Sequence, residues 1–465
     1  MKIPRIALFW TALSCATALA APSTLASAGT PSVAFKDRHV ILISLDGFPA
    51  ALWRDPALPA PTLRKLAAAG AQTEAMTVSN PSITWINHTT LVTGVSPRKH
   101  GVLFNGLLTR PEGSPPKIEQ WAPKERMVRV PTLYDLAHGA GLTTAESDWV
   151  ATTKAPTLHW SFPELPSPDG ALEREMIAAG AFSEEKIQWM QFGPGRKNVA
   201  WLDESWTRAA QFILRQHKPN LLLFHLLNTD AVHHTYGAGT MASYTAIAYA
   251  DRLVRELLQT LEETGLQART TVVVTTDHGF KKVSKVIHPN ILLKKAGFLQ
   301  TAGSTVSQWD AFCMPQGGLS FVYVRDPARK AELLPRLQEL FAHTEGIERV
   351  LDGSEGPPLG MPTPAENPGM GDLVLYAKNG YAFKAGHAIE EAIPPSTGYL
   401  GTHGYPSSDP ELDGICIFSG NQIRRGVVLP RISNLDVAPT LARILGLQFP
   451  ETEGRVLEEF LELTR

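Results

Sequence analysis

The chain has 465 residues, 43% of them hydrophobic and 19% charged, with a formal net charge of −2. That size accommodates one large α/β domain carrying a smaller insertion, and the composition is that of a packed globular protein. Near-neutral charge excludes a protein that grips a nucleic-acid duplex through a basic face, and the cluster Lys281, Lys282 and Lys285 reads as solvated surface.

The N-terminus has the pattern of an export signal: basic Lys2 and Arg5, an apolar run over residues 6–19, and small residues at Ala18-Leu19-Ala20. Residues 1–20 are therefore expected to be a signal peptide, with the mature chain starting near Ala21; cleavage after Ala26 or Ala28, or lipid attachment at Cys15, are the alternatives. No later stretch has the roughly 20 apolar residues that a membrane-spanning helix needs. An exported protein, periplasmic or extracellular, is expected. Cys313 and Cys416 follow the signal, and in an oxidising compartment they either pair or stay as buried free thiols.

Residues 38–45 are rich in Val, Ile and Leu, as in a parallel strand buried on both faces, and Asp46-Gly47 ends the run, leaving Asp46 at the carboxyl-end tip. Helical spacing over 62–69 stops at Gly70. Residues 79–94 read as a loop broken by Pro81 that runs into a short helix, with Ile86, Leu91 and Val92 on its buried side and Gly94 as its stop. Thr84 stands at the start of that helix. Free backbone N–H groups and the positive end of the helix dipole favour an alkoxide or a bound anion there, while an N-cap hydroxyl is the ordinary alternative. A short helix is expected over 131–137, and residues 149–198, rich in Pro and Gly, carry no readable pattern.

Order returns with a helix over 204–217 and an apolar strand over 220–227, followed at once by Asn228-Thr229-Asp230. A long amphipathic helix over 241–263 leads to a buried strand over 270–275, tipped by Thr276-Asp277-His278-Gly279. The alternation implies a doubly wound, mainly parallel sheet. Functional groups in such sheets gather beyond the carboxyl ends of the strands, where Asp46, Asp230, Asp277 and His278 all fall. Residues 281–395 break the rhythm with strand-like segments at 318–325 and 372–377, a helix at 328–341 and a Gly/Pro-rich linker at 353–370. They are expected to form an inserted α+β subdomain, with 21–280 and 396–465 as the main domain. The main pattern resumes at Gly401-Thr402-His403-Gly404, a strand over 414–418 and a helix over 435–445.

Asp230 and His234 stand four apart, so on a helix both point the same way and can grip one metal ion, with His233 facing elsewhere. Asp277 and His278 would face opposite sides within a strand, but beyond a strand end the chain can turn both toward one ion.

The segments Leu45-Asp46-Gly47-Phe48, 84–94, His100-Gly101, 230–237, Asp277-His278-Gly279 and Thr402-His403-Gly404, taken in order, resemble the nucleotide pyrophosphatase/phosphodiesterases of the alkaline phosphatase superfamily. The resemblance implies an alkaline-phosphatase-like fold, one metal ion held by Asp230, His234 and His403, and a second held by Asp46, Thr84, Asp277 and His278. It also implies that Asn105 steadies a non-bridging phosphoryl oxygen, and that Thr84 attacks phosphorus to give a phosphothreonine intermediate. Two divalent ions suit such a displacement, and an oxygen and imidazole donor set suits zinc best, with manganese, cobalt or iron as substitutes. The implied partner is a small phosphodiester or nucleotide. Trp85 follows the nucleophile where the family carries a substrate-holding aromatic residue, and either stacks on a base or aryl group or packs behind the helix.

Two departures bear on substrate contacts: Trp85-Ile86 replaces the family's aromatic-Pro pair, and Trp149-Val150-Ala151 replaces its Trp-Pro-Gly. Two other readings stand beside the leading one. A phosphomonoesterase or phosphonoacetate hydrolase of the same superfamily would need a pair of basic residues where 149–158 offers only Lys154. A non-catalytic, metal-stabilised binding protein would show damage to the ligand set or nucleophile, and the sequence shows none.

Overall fold

A computed structural model describes residues 33–462. The export signal, its cleavage points and Cys15 lie outside the described residues.

The apolar run His39–Leu45 is buried at every position, as a strand covered by helices on both faces requires. It pairs in parallel with Leu221–Leu226 on one side and Thr270–Thr275 on the other. Both neighbours are also buried throughout. The complete eight-stranded order is Val427–Leu429, Ala71–Thr73, Cys416–Gly420, Thr270–Thr275, His39–Leu45, Leu221–Leu226, Thr144–Ser147, Trp160–Phe162. Cys416–Gly420 runs antiparallel to both its neighbours, and the remaining pairings are parallel.

Strand alternation sends Ile41, Ile43, Leu222 and Phe224 to one face, where they meet Leu63 of the helix Pro61–Ala69, Trp206 and Ile213 of Val199–Gln216, and Ile247 and Leu253 of Met241–Glu263. Val40, Leu42, Leu221 and Leu223 face the other way, onto Leu91 and Val92 of Thr84–Thr93, Leu133 of Leu133–Gly139 and Leu441 of Val437–Ile444. The sheet is thus doubly wound and mainly parallel. Each large apolar side chain removed from water in these layers contributes about 1.5–3 kcal/mol.

A second, antiparallel sheet is built in the order Ala311–Gln316, Leu319–Val324, Leu373–Ala377, Ile347–Asp352. The helix Lys330–Ala342 covers it with Leu333, Leu337 and Phe341. The strand Lys281–Ile287 ties this region to the main sheet's loops, pairing with Gly380–Phe383 and with Gly401–Thr402, the segment that presents His403.

Several elements differ from the sequence reading. The stretch 149–198 contains the edge strand Trp160–Phe162 and two eight-residue helices, Ala171–Ala178 and Glu184–Gln191, each too short for its periodicity to stand out. The helix expected from 204 begins at Val199, because Asn198 caps it by accepting the Trp201 N–H. Cys313 lies in the smaller sheet and Cys416 in the larger; both are buried and free, which settles the open pairing question.

Candidate metal centre

The three central strands end level. Leu45 pairs with Leu226 and Ser44 with Thr275, so Asp46 and Asp277 emerge side by side. The turn at Gly47 has φ 65°, and a Cβ there would lie 2.6 Å from the Phe280 ring, so glycine is required immediately after Asp46. The Gly47 and His278 N–H groups each donate to Asp277 Oδ1 at 3.0 Å. This fixes the carboxylate and leaves Oδ2 buried without a partner. Asp46 is arranged in the same way: Oδ2 is 2.9 Å from His225 Nε2, and Oδ1 is buried without a partner.

Asp230 and His234 ride on the helix Asn228–Tyr236, which begins directly after its strand. The helix supplies no capping side chain of its own; Asp203, from the neighbouring helix, accepts the N–H groups of Leu227 and Asn228 at 2.8 and 3.1 Å. Asp230 Oδ1, again without a hydrogen-bond partner, lies 3.4 Å from His234 Nε2 and 3.8 Å from His403 Nε2.

Three imidazoles are oriented alike. Nδ1 donates to a backbone carbonyl in each: His234 to Gly401 at 2.9 Å, His278 to Gly279 at 3.1 Å and His403 to Ser82 at 2.8 Å. A carbonyl accepts only, so Nδ1 carries the hydrogen and Nε2 offers its lone pair to the cluster. Donor atoms of Asp230, His234 and His403 lie within 4.8 Å of one another, and so do those of Asp46, Asp230 and His278. Asp277 Oδ2 and Thr84 Oγ1 join at 3.1 and 3.4 Å from His278 Nε2.

Burial, followed by the charges of Asp277 and Asp230, pushes Asp46 well above the ordinary carboxylate range. Burial likewise raises Asp230 to about 6, against the pull of His234. It drives His278 and His403 well below their ordinary value. Crowded buried carboxylates beside neutral imidazoles are costly alone and are relieved by a cation. Oxygen and imidazole donors at this spacing fit divalent metal ions.

Thr84 is 8% exposed and is the first residue of its helix; Ile83 occupies the N-cap position, so the Thr84 hydroxyl does not cap. Asn87, which sequence reasoning passed over, holds the loop before it. Its Oδ1 accepts from the Ser79 N–H and from Asn434 Nδ2, both at 2.8 Å, and its Nδ2 donates to Pro81 and Ile83 carbonyls at 3.1 and 3.0 Å. Asn105 Oδ1 accepts the Trp85 N–H at 3.0 Å, which keeps its amide beside the nucleophile. Trp85 is 3% exposed and packs on half-buried Trp121, ring centroids 5.8 Å apart. Packing is therefore the role that its surroundings fill.

His233 does face away from the metal donors. It is buried, with Nδ1 donating to the Gly47 carbonyl at 3.0 Å and Nε2 accepting from Ser243 Oγ at 2.6 Å, so it braces the Asp46–Gly47 turn. Sequence reasoning also missed His225 and Asp148. The available signal was a histidine interrupting the apolar run Leu221-Leu222-Leu223-Phe224-His225-Leu226.

The sequence matches the type I phosphodiesterase / nucleotide pyrophosphatase family over residues 40–406. Among curated proteins it is similar to a venom phosphodiesterase of Macrovipera lebetinus, 22% identical over 254 residues, covering 54% of this chain and 26% of that protein. It is also similar to ectonucleotide pyrophosphatase/phosphodiesterase family member 3 of Rattus norvegicus, 21% identical, covering 90% of this chain and 43% of the rat protein. The chain thus spans less than half the length of these relatives. Among solved structures, human ectonucleotide pyrophosphatase/phosphodiesterase 5 superposes with a TM-score of 0.69 at 16% identity, covering 92% of this chain and all of that one. The murine protein has also been solved as an inactive Thr-to-Ala variant in complex with AMP, again with a TM-score of 0.69. The strand-tip motifs, the alkaline-phosphatase-like α/β fold and the match over residues 40–406 agree: the chain belongs to the type I phosphodiesterase / nucleotide pyrophosphatase family.

Proposed function

We propose that the protein is an exported hydrolase that uses two divalent metal ions, zinc by preference, to cleave phosphodiester or pyrophosphate bonds in small nucleotide-like substrates. The observation that carries this reading is the set of partnerless buried oxygens on Asp46, Asp230 and Asp277, which face three free imidazole nitrogens beside the Thr84 hydroxyl. Asp230, His234 and His403 would hold one ion, and Asp46, Thr84, Asp277 and His278 the other. Bound ions would supply the positive charge that a phosphoryl displacement needs at its attacking and departing oxygens.

Thr84 Oγ, its proton released to solvent, then forms a bond to phosphorus as the bond to the leaving alcohol or phosphate breaks, and the leaving group departs with that electron pair. The Asn105 amide, positioned by its bond to the Trp85 N–H, donates to a non-bridging oxygen. Water attacks the phosphothreonine phosphorus, restores the Thr84 hydroxyl and releases the phosphorylated product. Support comes from the family match and from the murine relative, described as an inactive Thr-to-Ala variant bound to AMP. Export is supported by the N-terminal pattern and by relatives named as venom and ecto-enzymes.

Trp85 is covered and packs on half-buried Trp121, so Trp121 carries the open aromatic surface of that pair and is the residue to test for stacking on a base or aryl group. The test is a panel of aryl phosphodiesters, nucleotide sugars, lysophospholipids, aryl phosphomonoesters and phosphonoacetate offered to purified protein. A diester or pyrophosphate should give the highest kcat/KM, a chelator should abolish turnover, and zinc should restore it. Thr84→Ala should lower kcat by about 1,000-fold or more. Highest turnover on a monoester or on phosphonoacetate, or a Thr84→Ala rate near the parent's, would overturn the reading.

A further inference from the structure

The apolar stripe on one sheet face ends in two polar residues. Val40 and Leu42 lead to Ser44, and in the next strand Leu221 and Leu223 lead to His225, which pairs with Ser44 in register. Both are buried. Continuing the stripe with apolar side chains would have removed the desolvation cost of an imidazole, so the interruption needs a function at this place. The His225 ring spans two acidic residues from flanking strands. Nε2 meets Asp46 Oδ2 at 2.9 Å, while Nδ1 meets the Asp148 carbonyl at 3.0 Å and Asp148 Oδ2 at 3.1 Å.

Asp148 is 1% exposed and holds φ at 60°, in the left-handed region that few residues other than glycine, asparagine and aspartate enter. That conformation is what turns its carbonyl and its carboxylate toward the same ring nitrogen. The Asp148 N–H donates to the Phe162 carbonyl at 2.9 Å, which anchors the turn to the edge strand. His88, whose Nδ1 donates to the Thr84 carbonyl at 2.9 Å, packs on the His225 ring with centroids 4.5 Å apart. Nothing in the phosphoryl-transfer steps uses His225 or Asp148.

We propose that His225, clamped by Asp148, is the positioning residue for Asp46: it occupies Oδ2 and so presents Oδ1 alone to the metal ion. The inference rests on the two-ion reading above. Bonds that orient a ligating carboxylate are worth roughly 10- to 100-fold in metal affinity, and the strain at Asp148 is the local cost of keeping this one rigid.

The test is competitive titration of metal-free protein with Zn2+ against a chromophoric chelator, read as two separate dissociation constants, with thermal melting of the metal-free forms alongside. His225→Phe, which keeps a ring against His88 but offers no donor, should weaken the ion of the Asp46 site by about 10- to 100-fold and leave the Asp230–His234–His403 site within about two-fold. His225→Gln restores a donor toward Asp46 and should recover most of that affinity. Asp148→Asn, which tolerates the left-handed backbone, should show an intermediate loss with a parent-like melt. Parent-like affinity at both sites in His225→Phe, or equal weakening of both together with a lowered metal-free melting temperature, would overturn the proposal in favour of plain packing. A parent chain that binds no ion at the Asp46 cluster would overturn the two-ion reading itself, and this inference with it.

Discussion

Ala151 holds φ at 57° where the family pattern carries glycine, so an alanine bears a conformation that its Cβ disfavours. Ala151→Gly should therefore stabilise the protein by about 0.5–1 kcal/mol, after subtracting the extra freedom glycine has when unfolded. A thermal melt checks this, and a lowered midpoint would mean that the Ala151 methyl, buried in its apolar cluster, outweighs the strain. Nearby, Trp121→Ala should raise KM for aryl or nucleotide diesters by about ten-fold and leave a small alkyl diester unaffected, since base–aromatic stacking is worth about 1–3 kcal/mol. On the two-ion reading, Asp230 would make metal binding sensitive to pH. Its carboxyl is raised to about 6, so a proton competes with the ion up to that pH: uptake is full above about 6 and lost as pH falls through it. At pH 5 the affinity of the Asp230 ion should be about ten-fold below its value at pH 7. Burial pulls His278 and His403 well below their ordinary value, which favours their neutral, donor form. Titration of metal-free protein at both pH values reads this directly, and a flat profile would contradict it.

The helix Asn228–Tyr236 depends on a cap from another element. Asp203→Ala frees the Leu227 and Asn228 N–H groups and should cost about 1–2 kcal/mol in thermal unfolding. It should also loosen Asp230 and His234 together, weakening the first ion more than the second. Asp203→Asn, which keeps one acceptor oxygen, should fall between. Such dependencies mark the limit of what the sequence carries. Asp46, Asp230, Asp277, His278 and His403 are legible because each follows an apolar strand or sits in a short motif, and strand ends are where a parallel sheet gathers its chemistry. Asp203, His225 and Asp148 are invisible to that reasoning, since each acts on a segment distant in the chain, and Asn87 sits inside its helix at no strand end, bonding back to the loop just before it. Strands of the smaller sheet, such as Ile347–Asp352, also escaped, because short antiparallel strands with one exposed face give only a few alternations.

The larger and smaller sheets each bury one free cysteine, and burial pushes the Cys416 thiol up to about 12 and the Cys313 thiol well above its ordinary value. A thiol reagent should thus label neither until the protein unfolds, and reductant should leave the melting temperature unchanged. Four strands of the larger sheet, His39–Leu45, Leu221–Leu226, Thr270–Thr275 and Cys416–Gly420, were readable as apolar runs, and Ala71–Thr73, Thr144–Ser147, Trp160–Phe162 and Val427–Leu429 were not, because three or four residues set no period. What the whole assembly accomplishes is to bring Thr84, at the start of a fully buried helix, within 3.4 Å of His278 Nε2 at the meeting point of three strand ends. The most direct test of its role is acid quenching of a diester turnover within milliseconds, followed by peptide mapping of the phosphorylated protein by mass spectrometry. Phosphate is expected on Thr84 in the parent and on no residue in Thr84→Ala; phosphate on no residue of the parent at any quench time, with turnover proceeding, would contradict a covalent role for Thr84.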